Sequence, residues 1–148
     1  MSSVESTWLD VWDAVFAIVQ GVDSIGDEVY QGMKLPPIAP DEGVIVLVAA
    51  GTSSLAASDT HGDYHVYSIP VYVFTQGDDT RQALRDCILW TGKIKKELLG
   101  HRTLDNLVND IRISQSRANP PDVAGYERQL VAFVVEARVW VDDPDSEE

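Results

Sequence analysis

The sequence predicts an α+β domain of two layers, in which an antiparallel or mixed sheet carries a long helix and an N-terminal helix on one face. Two observations lead to this fold class. Apolar residues recur at three- and four-residue steps in residues 7–22 and 79–99, as on one side of a helix. Residues 63–75 and 126–141 instead alternate with the two-residue period of a strand. Helices grouped on one face of a sheet give this two-layer architecture.

The first helix is expected over residues 7–22. Thr7 with Asp10 has the spacing of a capping box. Its apolar stripe consists of Trp8, Val11, Trp12, Val15, Val19 and Val22. Residues 35–40 follow as an extended connector, because proline disfavours helix at and before itself.

The second helix, over residues 79–99, is the longest helical pattern and the element against which we expect the strands to lie. Asp79 and Gln82 again have the spacing of a capping box, and Gly100 is expected to end the helix in a left-handed conformation. The predicted buried stripe is Leu84, Cys87, Ile88, Thr91, Ile94 and Leu98, whereas Arg81, Arg85, Lys93 and Lys96 fall elsewhere.

Four strands are expected. Residues 43–50 form a continuous apolar run, which is typical of a strand covered on both faces. The strand at 63–75 contains Pro70, which places that position at a sheet edge or a bulge. A short strand is centred on 111–114, and 126–141 is the clearest alternation in the chain.

Residues 51–62 and 116–125 are rich in small and polar residues and are predicted to be loops. Residues 142–148 are predicted to be a disordered acidic tail after a single domain spanning 1–141.

The composition excludes several classes of function. With 24 acidic and 11 basic residues the net charge is −13, which would repel duplex DNA and anionic membranes. The acidity fits solubility, or adaptation to high salt. The single cysteine, Cys87, excludes an intrachain disulfide, and no secretory signal or membrane-spanning run is present, so we expect an intracellular origin.

The sequence contains no convincing catalytic or cofactor motif, so we expect neither an enzyme nor a cofactor. The best metal candidate is His61, Asp63 and His65, but the neighbouring Gly62 favours a polar turn over a metal site. Asp10 and Asp13 lie opposite the tryptophans, where a solvated face is expected, and His101 suits a helix C-terminus without any catalysis.

The second face of the sheet is expected to need a cover, and a partner subunit is the natural one. Arginine and aromatic residues in this face are typical of an interface. The predicted interface residues are Tyr64, Tyr72, Phe74, Arg128, Leu130, Val134, Glu136, Arg138 and Trp140.

The layout resembles the tail-terminator, or tail-completion, proteins of long-tailed phages and related tailed viruses. The resemblance lies in the helix at 7–22, the connector LPPIAP, the strand VYSIPVYVFTQGDD, the helix TRQALRDCILWTGKIKKELLG and the closing strand YERQLVAFVVEARVWVDD. It spans most of residues 7–143.

This resemblance implies a homohexameric ring in the neck region of a virion, made in the host cytoplasm, that caps the tail tube and joins it to the head connector. DNA would pass the lumen without specific binding. The two predicted loops would then dock onto the tube or connector through Ser53, Ser54, Leu55, Asp59, Arg117 and Asn119. Another neck or tail-tube subunit and a small α+β ligand-binding domain remain as alternatives.

Overall fold

The computed structural model describes residues 4–26, 28–32, 44–58, 62–76, 79–118 and 128–142. These ranges contain two helices and seven strands, which form one sheet in the order β1-β2-β4-β7-β5, with β3 paired to β4 and β6 paired to β7. All pairings are antiparallel except that of β1 with β2. The mixed sheet confirms the predicted α+β class. The elements are α1 (Val4–Gln20), β1 (Val29–Gln31), β2 (Val44–Val48), β3 (Thr52–Ser58), β4 (Gly62–Gln76), α2 (Thr80–Leu99), β5 (Asp110–Ile113), β6 (Arg117–Ala118) and β7 (Arg128–Asp142).

The centre of the sheet consists of β4, which pairs with β7 on one side and with β2 and β3 on the other. β4 and β7 pair over 15 residues each, from Gly62 opposite Asp142 to Gln76 opposite Arg128. At about 3.3 Å per residue this ribbon is roughly 50 Å long. β2 and β3 follow one another along the other edge of β4. The prediction of a loop at 51–62 is therefore wrong for residues 52–58, because the free edge of β4 pairs with a segment whose composition alone favours a loop.

The junction between β2 and β3 explains the proline in β4. Between the pairs Val48–Val71 and Thr52–Ser68, three residues of the segment that joins β2 to β3 face two residues of β4. The Pro70 carbonyl accepts a hydrogen bond from Ala49 N at 2.9 Å, so its ring nitrogen also points towards this irregular stretch, where no donor is required. Pro70 is thus not at an edge, and the bulge lies in the segment between β2 and β3, opposite Pro70.

The helix ends differ from the predictions in two places. Asp79 caps α2 as expected, since its carboxylate accepts from the backbone N–H groups of Arg81 and Gln82 at 3.1 and 3.2 Å. Gly100, however, has a φ of −70° and is right-handed. The left-handed residues come later, at Leu104 to Asn106, where the chain turns towards β5. α1 begins before Thr7, which is buried within the helix and is not its cap.

Both helices pack on one face of the sheet and form the main core with it. Ile88 is the exception in the predicted stripe of α2, because 53% of its surface is exposed. The strand predicted around 111–114 is confirmed as β5. The main core contains Val11, Val15 and Val19 of α1, Cys87, Ile94 and Leu98 of α2, Tyr67, Ile69, Val71 and Val73 of β4, and Val131, Phe133, Val135, Ala137 and Val139 of β7.

The connector predicted at 35–40 lies outside the described residues. The same holds for residues 143–148 of the predicted tail, whereas Asp142 is the last residue of β7.

Candidate subunit interface

The sheet face opposite the helices divides into two halves. In one half a second hydrophobic cluster is formed by Ile45, Leu47, Phe74 and Leu130, with Tyr30 and Tyr72 packed against it. Phe74 and Leu130 are buried within the chain itself. The expectation that the whole second face lacks a cover is therefore wrong here. Tyr30 belongs to β1, a three-residue strand that the sequence pattern did not predict.

The other half is open and carries an aromatic pair. Tyr64 of β4 lies directly opposite Trp140 of β7, and their rings meet edge to face with centroids 5.2 Å apart. Tyr64 is 38% exposed and Trp140 is half-buried. Two large aromatic side chains therefore remain partly accessible on this face, as they commonly do at protein interfaces.

Charged side chains lie next to the aromatic pair. Glu136 of β7 is opposite Arg112 of β5, and Arg138 is opposite Asp110. Among the described residues no Arg or Lys nitrogen lies within 4.0 Å of a carboxylate oxygen, so these cross-strand neighbours are not closed ion pairs. Their charges can act on groups outside the protomer.

The remaining predicted interface residues lie between these features or beyond them. Val134 is half-buried opposite Pro70, between the charged residues and the buried cluster. Arg128 begins β7 opposite Gln76, and its side chain is outside the described part of the chain. Together, Tyr64, Val134, Glu136, Arg138 and Trp140 define the open half, and we use this name for them below.

The residues proposed for docking lie mostly in strands. Ser53, Ser54 and Leu55 belong to β3, and Arg117 is an exposed residue of β6. The prediction of a loop at 116–125 is thus wrong for Arg117 and Ala118, because β7 offers its edge to them as β4 does to β3. Asp59 and Asn119 lie outside the described residues.

β3 is an edge strand that sequence reasoning missed. Within the described residues it pairs with β4 alone. It contains no charged residue and no proline, the usual means of blocking an edge, and Leu55 is 58% exposed. The available signal was this run of seven residues without charge, glycine or proline.

The two tryptophans of α1 fix the helix to the irregular junction between β2 and β3. The indole N–H of Trp8 donates to the Ala50 carbonyl at 2.8 Å, and that of Trp12 donates to the Val48 carbonyl at 2.9 Å. These bonds satisfy carbonyl groups near a stretch where the ladder is irregular. The tryptophans thereby fix the position of the chain just before β3 begins.

The metal candidate is only partly within the described residues. Asp63 and His65 share a face of β4 as expected, with Oδ2 and Nε2 3.9 Å apart. Both ring nitrogens of His65 are buried without a hydrogen-bond partner. His61 is outside the described residues, and within them no group of three potential ligands converges. That the protein binds no metal stays a prediction.

Cys87 faces the core between α2 and the sheet. Its thiol donates to the Val73 carbonyl at 3.0 Å, and burial raises its pKa to about 11 from an ordinary value of 9.0. Since the thiolate is the reactive form, this cysteine is chemically inert in the folded protein at neutral pH.

Comparison with known proteins identifies a shared fold. No family model matches the sequence, and no curated protein is similar to it at a significant level. Among solved structures, a chain of the virion of a native gene transfer agent particle matches with a TM-score of 0.63 and 19% sequence identity, over 88% of this chain and 95% of that chain. Both described helices are also too short or too polar to span a membrane.

Proposed function

We propose that this chain is a structural protein of a tailed virus-like particle and that it acts as a tail terminator. The observation that carries the proposal is the fold shared with the gene transfer agent virion chain over nearly the whole of both chains. The order of elements from α1 to β7 supports it, since the same order underlies the resemblance to tail-terminator proteins. In this role the protein caps the tail tube as a ring, ends its polymerisation and forms the joining surface to the head connector.

The ring is a homohexamer that closes through the open half of the second face. Phe74 and Leu130 are buried in the core of each subunit. The contact between subunits is therefore made by Tyr64, Val134 and Trp140. Partly accessible aromatic residues flanked by charges of both signs give such a contact an apolar centre and a polar rim.

The acidity of the chain has a use in a ring of this kind. Six copies carry 6 × −13, or −78, formal charges. A strongly negative lumen repels the phosphate backbone, so DNA passes without specific binding. The protein needs no cofactor and catalyses no reaction in this role, and it resides in the neck region of the virion after synthesis in the host cytoplasm.

The tube and the connector bind at surfaces that stay accessible in the ring. β3 and Arg117 are suited to this because an unblocked edge strand pairs readily with another chain.

Electron microscopy of particles made without this protein tests the proposal. A terminator that is missing leaves tubes of uncontrolled length that lack heads, and the protein supplied in trans restores joined particles. Tubes of normal length that merely lack heads would assign the chain to another neck position. The absence of tubes altogether would make it the tube subunit. Normal infectious particles, together with a monomer whose melting temperature rises with a small ligand, would favour the ligand-binding alternative.

A further inference from the structure

The outer side of α2 concentrates positive charge in a very acidic chain. Only 11 Lys and Arg residues are present in the protein, and five of them lie in α2. Arg81, Arg85 and Lys96 are exposed on the side away from the sheet. Among the described residues no carboxylate oxygen lies within 4.0 Å of their nitrogens. Within the described part of the chain, their charge is therefore not neutralised by a close acidic partner.

Apolar side chains lie between these charges, together with a notch, which is the gap in the helix surface where Gly92 has no side chain. Ile88 and Leu89 are 53% and 66% exposed. Gly92 lies beside them, and a Cβ placed on it would meet nothing within 4 Å. We call these six residues, Arg81, Arg85, Ile88, Leu89, Gly92 and Lys96, the α2 surface.

The outer side of α1 has the opposite character. α1 contains no Lys or Arg. Leu9 is 56% exposed, and the exposed residues Asp10, Asp13 and Ala17 share its side of the helix. We call these four residues the α1 surface. It presents negative charge and one apolar side chain, where the α2 surface presents positive charge and an apolar notch.

We propose that two copies of this chain pair through their helical layers, with the α1 surface of each on the α2 surface of the other. α1 and α2 lie side by side on the same face of the sheet. Two copies placed face to face about a twofold axis therefore bring α1 onto α2 twice, as an isologous contact. Leu9 enters the notch at Gly92, and Asp10 and Asp13 lie near Arg85 and Lys96.

The size of this contact is adequate for a specific dimer. α1 has 17 residues and α2 has 20. Four helical faces of roughly 25 Å by 10 Å bury about 1,000 Å², which is the minimum for a biological interface and is typical of weak association. Because much of the attraction is between exposed charges, the pairing weakens with salt.

This pairing is independent of the proposed function. It uses the helical side of the sheet, whereas the ring contact uses the opposite side. Duplex DNA is another ligand that a basic helix can bind, but a chain with a net charge of −13 repels it.

The test uses the Val134→Arg chain, in which the open half is blocked, and compares it with the same chain carrying Gly92→Leu. A Cβ at 92 meets no atom within 4 Å, and leucine favours a helix more than glycine does, so we expect folding to be retained, as circular dichroism can verify. We expect dimers of Val134→Arg in sedimentation equilibrium, and a dissociation constant raised about tenfold or more by Gly92→Leu. Gln115→Leu, at an exposed site that belongs to neither surface, serves as the matched control and leaves the dissociation constant unchanged.

Charge reversal identifies the partner surface. Arg85→Glu with Lys96→Glu weakens the dimer, Asp10→Lys with Asp13→Lys does the same, and all four changes together restore it. A Val134→Arg chain that is monomeric at every concentration, a dimer indifferent to Gly92→Leu, or a failure of the four changes to restore pairing would each overturn the proposal. Binding of a duplex DNA probe that Arg85→Glu abolishes would assign the α2 surface to nucleic acid instead.

Discussion

Tyr64 and Trp140 face each other across β4 and β7 with their ring planes at 71° and their centroids 5.2 Å apart, on the sheet face that the helices leave open. Such edge-to-face pairs contribute about 0.5–1.5 kcal/mol beyond the area they bury. The pair holds an apolar surface in place before any partner arrives. An ordered aromatic surface loses less entropy on association than a mobile one.

The first prediction concerns this pair. Trp140→Arg places an unpaired charge in the contact between subunits, and an uncompensated charge of this kind costs on the order of 3–5 kcal/mol when it is buried. We expect the ring to dissociate while the circular dichroism spectrum keeps its helical signal. Gln115→Arg, at an exposed site, is the control and leaves the ring intact. Rings that persist in Trp140→Arg at the concentration where the wild type forms them would show that the contact lies elsewhere.

The second prediction compares two glycines. Gly51 has a φ of +69°, and a Cβ there would lie 1.7 Å from the Ser68 carbonyl oxygen. Gly51→Ala is therefore expected to lower the free energy of unfolding by about 3 kcal/mol or more, through backbone strain and this collision. Gly92→Ala has open space in a helix and is expected to raise it by up to about 1 kcal/mol. Urea denaturation measures both, and equal effects of the two substitutions would contradict the geometry of the β2–β3 junction.

The third prediction separates the two tryptophans of α1. Phenylalanine at either position keeps most of the apolar surface and removes the indole donor. The Val48 carbonyl retains a hydrogen bond from Gly32 N at 3.0 Å when Trp12 is replaced. For the Ala50 carbonyl, the donor described is the indole of Trp8. Trp8→Phe should thus cost about 1 kcal/mol and Trp12→Phe less, as measured by urea denaturation. The reverse order would be inconsistent with the hydrogen bonds described.

The fourth prediction follows from the buried thiol. Burial raises the pKa of Cys87 to about 11, whereas the unfolded chain ionises near 9.0. The protonated thiol therefore contributes its full stability below pH 9, and this contribution is lost as the pH rises towards 11. Between these values the melting temperature of the wild type should fall more steeply than that of Cys87→Ala. Parallel curves for the two proteins would mean that the thiol is not buried in solution.

The fifth prediction is that the protein requires no metal. Because His65 is buried, replacing His61 and His65 by Asn can change stability whether or not a metal is bound, so this double variant is compared with the wild type only in its response to a chelator. Excess chelator should leave the melting temperature unchanged, because a structural metal contributes its binding energy to folding. Stoichiometric zinc or manganese in the purified protein, or a chelator effect that the double variant abolishes, would reverse this conclusion.

Periodicity predicted the parts of the fold in which burial dominates. The alternation in β4 and β7 identified the two longest strands, the continuous apolar run identified β2, and the helical stripes identified α1 and α2. β3 was missed because its small polar residues resemble a loop, and its structure depends on the neighbouring edge of β4, which local sequence does not reveal. The left-handed turn was misplaced for a related reason: it lies at Leu104 to Asn106, where the burial of Leu104 outweighs the local preference of Gly100.

The candidate interface was predicted in part. Alternation correctly placed Tyr64 and Trp140 on the second face. It could not show that Phe74 and Leu130 form a buried cluster with Ile45 and Leu47, because both faces of β2 are apolar and the register between strands is not visible in one sequence. The open half is consequently smaller than the predicted interface.

The mass of the purified protein in solution shows whether six subunits form a closed ring. Light scattering in about 0.5 M NaCl, where contacts between exposed charges are screened, isolates the ring contact. A closed hexamer gives one species of six 16.3 kDa chains, about 98 kDa, which Trp140→Arg converts to smaller species. A folded 16.3 kDa monomer at all concentrations, or a mass that Trp140→Arg does not change, would contradict it.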